Sequence, residues 1–119
     1  MSRSPADLSK SGFEAAEKFL ASESDIHHAS RSLKAMAHPL RLKILCILGS
    51  AVETSVQDLV DMVGTSQSNI SQHLSILRDK GILDSRKDAN KVYYRIGDAR
   101  ILRLMESMRL AFCSSEAPH

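Results

Sequence analysis

Residues 54–78, TSVQDLVDMVGTSQSNISQHLSILR, decide the fold of this chain. The first half of the stretch has apolar residues at helical spacing, and Thr54 and Gln57 stand at the spacing of a capping box. Gly64 can adopt the positive φ that ends a helix, and a second helix then begins at Thr65 or Ser66. The stretch therefore predicts two short helices joined by a tight turn, a helix-turn-helix.

The second of these helices has one narrow apolar face, because Ile70, Leu74 and Leu77 recur at i, i+4 and i+7. The remaining surface carries side chains that can donate to and accept from base edges, or contact phosphates. The candidate base-reading residues are Gln67, Ser68, Ser71, Gln72 and His73, and the candidate phosphate contacts are Asn69 and Arg78. The pattern favours a DNA-reading helix, although an ordinary helical hairpin with a solvated face would show it as well.

Length and composition bound the remaining possibilities. A chain of 119 residues with 43% apolar and 25% charged residues is typical of one globular domain. The longest apolar run is too short for a bilayer, and the first residues lack the apolar core of a signal peptide, so a cytoplasmic protein with no membrane partner is expected. Two cysteines, Cys46 and Cys113, are too few for a disulfide scaffold or a Cys-type zinc site.

Positive charge is concentrated around the helix-turn-helix. Residues 1–30 contain three Lys and Arg against five Asp and Glu, residues 31–96 contain ten against six, and the remainder contains three against three. A basic centre is what a phosphate-binding surface requires, although an excess of four charges can also arise by chance.

The residues before the helix-turn-helix predict three helices. Residues 1–10 are polar and predicted to be disordered. Ser11 and Glu14 stand at capping-box spacing, so a short helix is expected up to about Ala21. A second helix over residues 25–37 has one apolar side, formed by Ile26, Ala29, Leu33, Met36 and Ala37. His38 is expected to cap a third helix, PLRLKILCILG, which Pro39 opens and Gly49 closes.

After the helix-turn-helix, residues 82–96 predict a β-hairpin wing. Residues 82–87 and 91–96 have strand character, and Asp88, Ala89 and Asn90 are expected to form the turn. Three basic residues, Arg86, Lys87 and Lys91, cluster near the tip, where they could contact the sugar-phosphate backbone. A solvated turn that binds no DNA is the alternative interpretation.

A last helix is predicted over residues 98–113, with Asp98 as its cap, before a flexible tail at residues 114–119. Its apolar stripe consists of Ile101, Leu104, Met105, Met108 and Phe112. A stripe at the end of the chain has little of the chain left to pack against. We therefore expect this helix and residues 25–37 to form the interface of a symmetric homodimer.

Three strings of sequence, LKAMAHPLRLKIL, TSQSNISQHLSILRDKGILDSRKD and KVYYRI, resemble the ArsR/SmtB family of winged-helix repressors. The resemblance covers roughly residues 32–113. It implies a mainly helical winged helix-turn-helix domain with a small β-hairpin, over residues 11–113. It also implies a homodimer that binds an imperfect inverted repeat of double-stranded DNA and is released by an inducer.

The cysteine pattern resembles one branch of that family in particular. Cys46 in the string ILC and Cys113 at the end of the last helix are similar to the thiols of the BigR/SqrR-like branch. This resemblance implies that reactive sulfur species such as persulfides bridge the two thiols, through a disulfide or a polysulfide, and so lower operator affinity. The metal sites of other branches are missing, since residues 55–59 contain no sulfur and residues 98–113 contain no histidine.

Other functions stay open at this level. The protein could be an ArsR-type repressor with inert cysteines that responds to a metal, to another oxidant or to no inducer, or a winged helix that binds only proteins. A thiol enzyme such as a sulfurtransferase is disfavoured, because the chain has no Cys-x-x-Cys motif and no phosphate-cradling glycine loop. We therefore expect no enzymatic activity, no cofactor and no bound metal.

Overall fold

The computed structural model describes residues 11–112, which fall into two compact units divided between Lys34 and Ala35. The elements of this part of the chain are α1 (Phe13–Ala21), α2 (Glu23–Met36), α3 (Pro39–Ser50), β1 (Thr54–Ser55), α4 (Val56–Val63), α5 (Gln67–Asp79), β2 (Leu83–Asp88), β3 (Lys91–Ile96) and α6 (Ala99–Phe112). The fold is thus mainly helical with one small antiparallel sheet, which confirms the predicted fold class.

The first unit contains α1 and most of α2. The predicted capping box at Ser11 and Glu14 is wrong, because α1 begins after Gly12 without a side-chain cap. The break between the two helices is instead capped by Ser22, whose hydroxyl accepts a hydrogen bond of 3.3 Å from the amide of Asp25.

The apolar side chains of this unit remain largely exposed. Phe13 and Leu20 of α1 are 62% and 68% exposed, and Leu33 of α2, predicted to face inward, is 53% exposed. Ile26 and Ala29 are half-buried. Only the end of α2 is fully buried among apolar residues, through Ala35 and Met36, which belong to the second unit.

The second unit is organised around α3, which packs against α4, α5, α6 and the sheet. His38 is its N-cap as predicted, since its Nδ1 accepts a hydrogen bond of 3.1 Å from the amide of Leu40, and Pro39 is its first residue. The predicted stop at Gly49 is wrong, because the helix continues to Ser50. Gly49 instead marks a close approach, since a Cβ there would lie 3.6 Å from the Cβ of Met105 on α6.

The core of the second unit collects apolar side chains from every element except β1. It contains Ala35, Met36, Ile44, Leu45, Leu48, Leu59, Ile70, Leu74, Leu77, Ile82, Leu83, Tyr94, Ile101 and Met105. The predicted inward face of α5 is confirmed, because Ile70, Leu74 and Leu77 are completely buried. The stripe of α6 is divided, since Ile101 and Met105 are buried whereas Leu104 and Phe112 are exposed.

The first helix of the helix-turn-helix begins one residue later than its predicted cap. Ser55, not Thr54, caps α4, because its hydroxyl accepts a hydrogen bond of 3.1 Å from the amide of Asp58. Thr54 is extended because it pairs with Tyr94 of β3. The predicted stop at Gly64 is confirmed by its φ of 80°, and Ser66 caps α5 by accepting a hydrogen bond of 3.2 Å from the amide of Asn69.

The wing is the hairpin of β2 and β3 within a three-stranded sheet ordered β1-β3-β2. Asp88 was predicted in the turn, but it pairs with Lys91 and so belongs to β2. The turn is reduced to Ala89 and Asn90, and Ala89 has a positive φ of 56°. A two-residue hairpin turn places its first central residue in a conformation that glycine tolerates best, which explains the strain at Ala89.

Ala89→Gly should therefore stabilise the protein. Removing the Cβ relieves the left-handed strain, and the gain is partly offset by the greater freedom of glycine in the unfolded chain, so we expect roughly 0.5–1 kcal/mol from urea unfolding. Gly64→Ala is the matched opposite change, because its φ is 80° and a Cβ there would meet no other atom within 4 Å. It should destabilise the fold by about 1 kcal/mol, and equal stabilities for both variants and the wild type would contradict this account of the turns.

Candidate DNA-binding surface

The outward face of α5 carries most of the predicted base-reading residues. Burial of Ile70, Leu74 and Leu77 turns the opposite side of the helix to solvent. Gln67, Ser68 and Gln72 are exposed there, and Ser71 is half-buried. These amide and hydroxyl groups can both donate and accept hydrogen bonds, which is the property that base edges in a major groove require.

A cleft of about 280 Å³ separates α5 from the wing. Its lining consists of Ser55, Val56, Gln57, Gln67, Ser71, Asn90, Lys91, Val92 and Tyr94. The structure thus brings together three of the residues that the sequence singled out, namely Gln67 and Ser71 from α5 and Lys91 from the wing. An ammonium group beside two neutral polar side chains combines a phosphate contact with base-edge contacts on one concave surface.

Arg86 of the wing is held by a carboxylate that the sequence did not reveal. Its Nε and Nη2 atoms each donate to one carboxylate oxygen of Glu53 at 2.7 Å, and its guanidinium lies 4.6 Å above the ring of Tyr93. The hydrogen bond from Arg86 is the main reason that the pKa of Glu53 lies below its usual value. Much of the positive charge of Arg86 is therefore balanced within the wing, whereas Lys87 extends into solvent.

Arg78 lies on a second concavity of about 490 Å³, behind the hairpin. That cavity is lined by Glu53, Arg78, Gly81, Leu83, Asp84, Ser85, Arg86 and Arg95. Arg95 contacts Asp84 at 3.5 Å, so a second wing arginine is also paired with a carboxylate. Asn69, the other predicted phosphate contact, donates its side-chain amide to the hydroxyl of Thr65 at 3.1 Å and so stabilises the turn before α5.

His73 lies on a different flank of α5 from the cleft. Its Nδ1 accepts a hydrogen bond of 3.2 Å from Nε of Arg41, and its ring centroid lies 4.6 Å from that of His38. Burial, followed by the charges of His38 and Arg41, lowers the pKa of His73 below its usual value. The predicted contact of His73 with DNA stays a prediction, but within the protein this side chain joins the reading helix to α3.

The two predicted sensing thiols differ in what the structure describes. Cys46 is half-buried on α3 and packs against the core of the second unit, one helical turn before the point where α3 meets α6. Cys113 lies outside the described residues, directly after the last residue of α6. Within residues 11–112, no group of three or more His, Cys, Asp or Glu side chains is arranged to hold a metal ion.

A helix-turn-helix whose reading helix is followed by a β-hairpin defines a winged helix-turn-helix, a class of DNA-binding protein. The long local contacts of α5, the cleft beside it and the lysines of the wing are the parts such a protein uses. In the described part of the chain, every helix is too short or too polar to cross a lipid bilayer.

The chain belongs to the ArsR family, since residues 38–85 match the family described as "Bacterial regulatory protein, arsR family" and a full-length relative supports the match. That relative, the HTH-type transcriptional regulator YgaV of Escherichia coli, is 36% identical over 91 residues, which are 76% of this chain and 92% of YgaV. The family and such relatives are transcription regulators, which confirms the expectation that the protein is not an enzyme.

Solved structures give the same result. The transcriptional repressor BigR of Xylella fastidiosa has a TM-score of 0.71 and 31% identity, and the match covers 84% of this chain and 95% of BigR. Reduced HlyU of Vibrio cholerae has a TM-score of 0.73 and 37% identity, with coverage of 76% and 95%. Both likenesses confirm the winged helix-turn-helix fold.

Lys91→Gln should weaken DNA binding evenly across sequences and lower the slope of log affinity against log salt by about 1 per contact, because Lys91 supplies one positive charge to the cleft. Titrations of fluorescent duplex DNA at several salt concentrations measure both quantities. Lys18→Gln, a charge-matched change on exposed α1, is the control and should leave the slope unchanged. An unchanged slope for Lys91→Gln would remove this lysine from the DNA-binding surface.

Proposed function

We propose that this protein is a homodimeric repressor that binds an inverted repeat of duplex DNA and loses affinity when Cys46 and Cys113 are bridged by reactive sulfur species. The observation that carries the DNA-binding part is the cleft that joins Gln67 and Ser71 of α5 to Lys91 of the wing. Several relatives are named as repressors, among them the biofilm growth-associated repressor of Xylella fastidiosa, which is 32% identical over 94 residues.

Within each DNA-binding surface, the side chains have separate tasks. Gln67, Ser68, Ser71 and Gln72 read base edges in the major groove, and Lys87 and Lys91 contact the phosphate backbone beside it. Arg86 contributes to the wing as part of its pair with Glu53. The ion pair keeps its guanidinium fixed on the surface of the hairpin, so that any phosphate contact by Arg86 competes with Glu53.

The proposed dimer is supported by apolar side chains that the single chain leaves exposed. On α6 these are Leu102, Leu104, Leu110 and Phe112, and on α1 they are Phe13, Phe19 and Leu20. Exposed apolar residues concentrated on terminal helices are typical of surfaces that a second copy covers. Two-fold symmetry would place the two α5 helices in successive major grooves, about 34 Å apart.

The sensing step is supported by the position of Cys46 on the central helix. Because α3 packs against both α5 and α6, a change at Cys46 acts on the reading helix and on the proposed dimer helix together. Cys113 immediately follows α6. A bridge would therefore tie α3 to the end of α6, provided that the two Cα atoms approach within about 7 Å.

The chemistry of bridging needs only a persulfide donor. A cysteine thiolate attacks the sulfane sulfur of a persulfide RSSH, which forms a protein persulfide and releases the thiol RSH. The second thiolate then attacks the inner sulfur of the protein persulfide, forming a disulfide and releasing H2S. If both cysteines are first converted to persulfides, their condensation releases H2S and leaves a bridge of three sulfur atoms.

The free energy required for regulation is modest. A 100-fold loss of operator affinity corresponds to about 2.7 kcal/mol of differential binding. The loss of one or two phosphate contacts per half-site supplies a change of this size. Altering the spacing of the two reading helices is therefore sufficient, and neither of them needs to unfold.

Selection from a pool of random duplex DNA tests the DNA-binding function. We expect the wild-type protein to enrich an imperfect inverted repeat, whereas Gln72→Ala should bind the same repeat with relaxed preference at one base pair per half-site, at a cost of about 1–3 kcal/mol. Failure of the wild-type protein to enrich any repeat, at low as well as moderate salt, would overturn the proposed function.

Cys46→Ser and Cys113→Ser should each bind the selected repeat as tightly as the wild type but should no longer be released by a persulfide donor. Intact-mass measurement should show a wild-type product that has lost two hydrogens, with or without added sulfur, and no bridged product in either variant. Met62→Leu, a change at a sulfur-containing side chain that is 63% exposed, controls for oxidation elsewhere. Normal release of either serine variant would show that the cysteines do not sense sulfur and would favour a repressor with another inducer.

A further inference from the structure

Arg41 connects three elements of the second unit. Its Nε donates to Nδ1 of His73 on α5 at 3.2 Å, and its Nη1 donates to the backbone carbonyl of Ala35 near the end of α2 at 2.9 Å. Arg41 itself lies in the first turn of α3. One guanidinium therefore holds the reading helix, the central helix and the end of α2 in a fixed arrangement.

The hydrogen bonds define the protonation state of His73. Nδ1 can accept from Arg41 only when it carries no proton, so the neutral ring bears its proton on Nε2. A proton added to Nδ1 would turn this acceptor into a donor that faces another donor. The bond to Arg41 would then be lost, because an arginine side chain has no lone pair to accept a hydrogen bond.

The surroundings of His73 also oppose a positive charge on its ring. The charged or titratable groups that act on it are His38 and Arg41, both of which are cationic when protonated. On α5 itself, residues 69, 70, 76 and 77, one turn away on either side, are uncharged. Protonation of His73 would thus place a cation beside Arg41 with no carboxylate among the groups that act on the ring.

We propose that Arg41 and His73 are positioning residues for DNA binding, and that neutral His73 fixes α5 against α3 in the orientation that reads the groove. The inference rests on the proposed function, because it needs a protein that binds DNA. Protonated His73 releases the flank of α5, and the fraction of molecules that can bind DNA falls accordingly.

The expected pH dependence has a definite sign. The pKa of His73 in the folded protein lies below its ordinary value of about 6.5, first because of burial. The contact is therefore fully formed above the unfolded-state pKa and is lost as the pH falls through the folded-state pKa. Protonation of any other histidine adds positive charge and strengthens binding to DNA, so a fall of affinity in acid identifies a contact of this kind.

The same sign separates two roles for His73. If His73 contacted a phosphate directly, its protonation would strengthen DNA binding rather than weaken it. If it holds Arg41, protonation weakens binding. The direction of the pH profile therefore decides between a DNA contact and a positioning residue.

The experiment measures the affinity for a duplex selected by the wild-type protein, between pH 7.5 and 5.5 at constant ionic strength. We expect wild-type affinity to fall about tenfold, the factor that one hydrogen bond to a charged group can contribute. His73→Asn keeps an acceptor at the position of Nδ1 but does not titrate, so it should bind normally at pH 7.5 and lose the fall in acid.

Two variants that break the contact should behave differently. His73→Ala and Arg41→Met should bind about tenfold more weakly than the wild type already at pH 7.5, with no further fall in acid. His27→Asn removes an exposed histidine of α2 and should keep the wild-type profile. This combination, with rescue by asparagine alone, cannot arise from a general loss of stability.

The proposed function and this inference fail in different ways. If the wild type binds the duplex at pH 7.5 but its affinity is constant or rises in acid, or if His73→Asn retains the fall, the positioning role is wrong and the repressor function stands. Nuclear magnetic resonance of the His73 ring in DNA-free protein gives an independent test. It should show the Nε2-protonated form at pH 7.5, and the Nδ1-protonated form would overturn the inference irrespective of any DNA measurement.

Discussion

The burial of Ile70, Leu74 and Leu77 against α3 is the contact on which the rest of the second unit depends. Each side chain is completely buried, and complete burial of one such residue contributes about 1.5–3 kcal/mol. Because neighbouring positions on a helix differ by about 100°, the same contact fixes which side of α5 faces outward. The identity of the exposed polar side chains is thus determined by core packing, and a reading helix that rotated would lose its hydrophobic anchor.

Pairing of charges changes what the basic character of the wing means. Arg86 and Arg95 are each held by a carboxylate, Glu53 and Asp84 respectively. The lysines of the hairpin tip therefore dominate the positive charge that incoming phosphates meet, although the sequence contains four basic residues between positions 86 and 95. Counting positive residues along the chain overstates the charge available to DNA, because it omits carboxylates that are distant in sequence and adjacent in space.

The sequence was sufficient where local rules act. Caps at His38 and Ser66, the stop at Gly64 and the inward face of α5 follow from helical spacing and backbone preferences within a few residues. It was insufficient where distant segments meet. Thr54 was predicted to cap a helix but is drawn into the sheet by β3, and the contacts of Arg86 with Glu53 and of Arg41 with His73 join residues 33 and 32 positions apart. No periodicity signals such pairs.

The two residues of β1 make the wing and the helix-turn-helix a single mechanical part. Ser55 pairs with Tyr93 of the hairpin and at the same time caps α4, so the hairpin cannot tilt without disturbing the start of that helix. There is no linker in which slack could accumulate between the two. A molecule built this way concentrates its stiffness inside each copy and leaves compliance to the seam between copies, so an incoming chemical signal gains most leverage by resetting the gap that separates two rigid bodies.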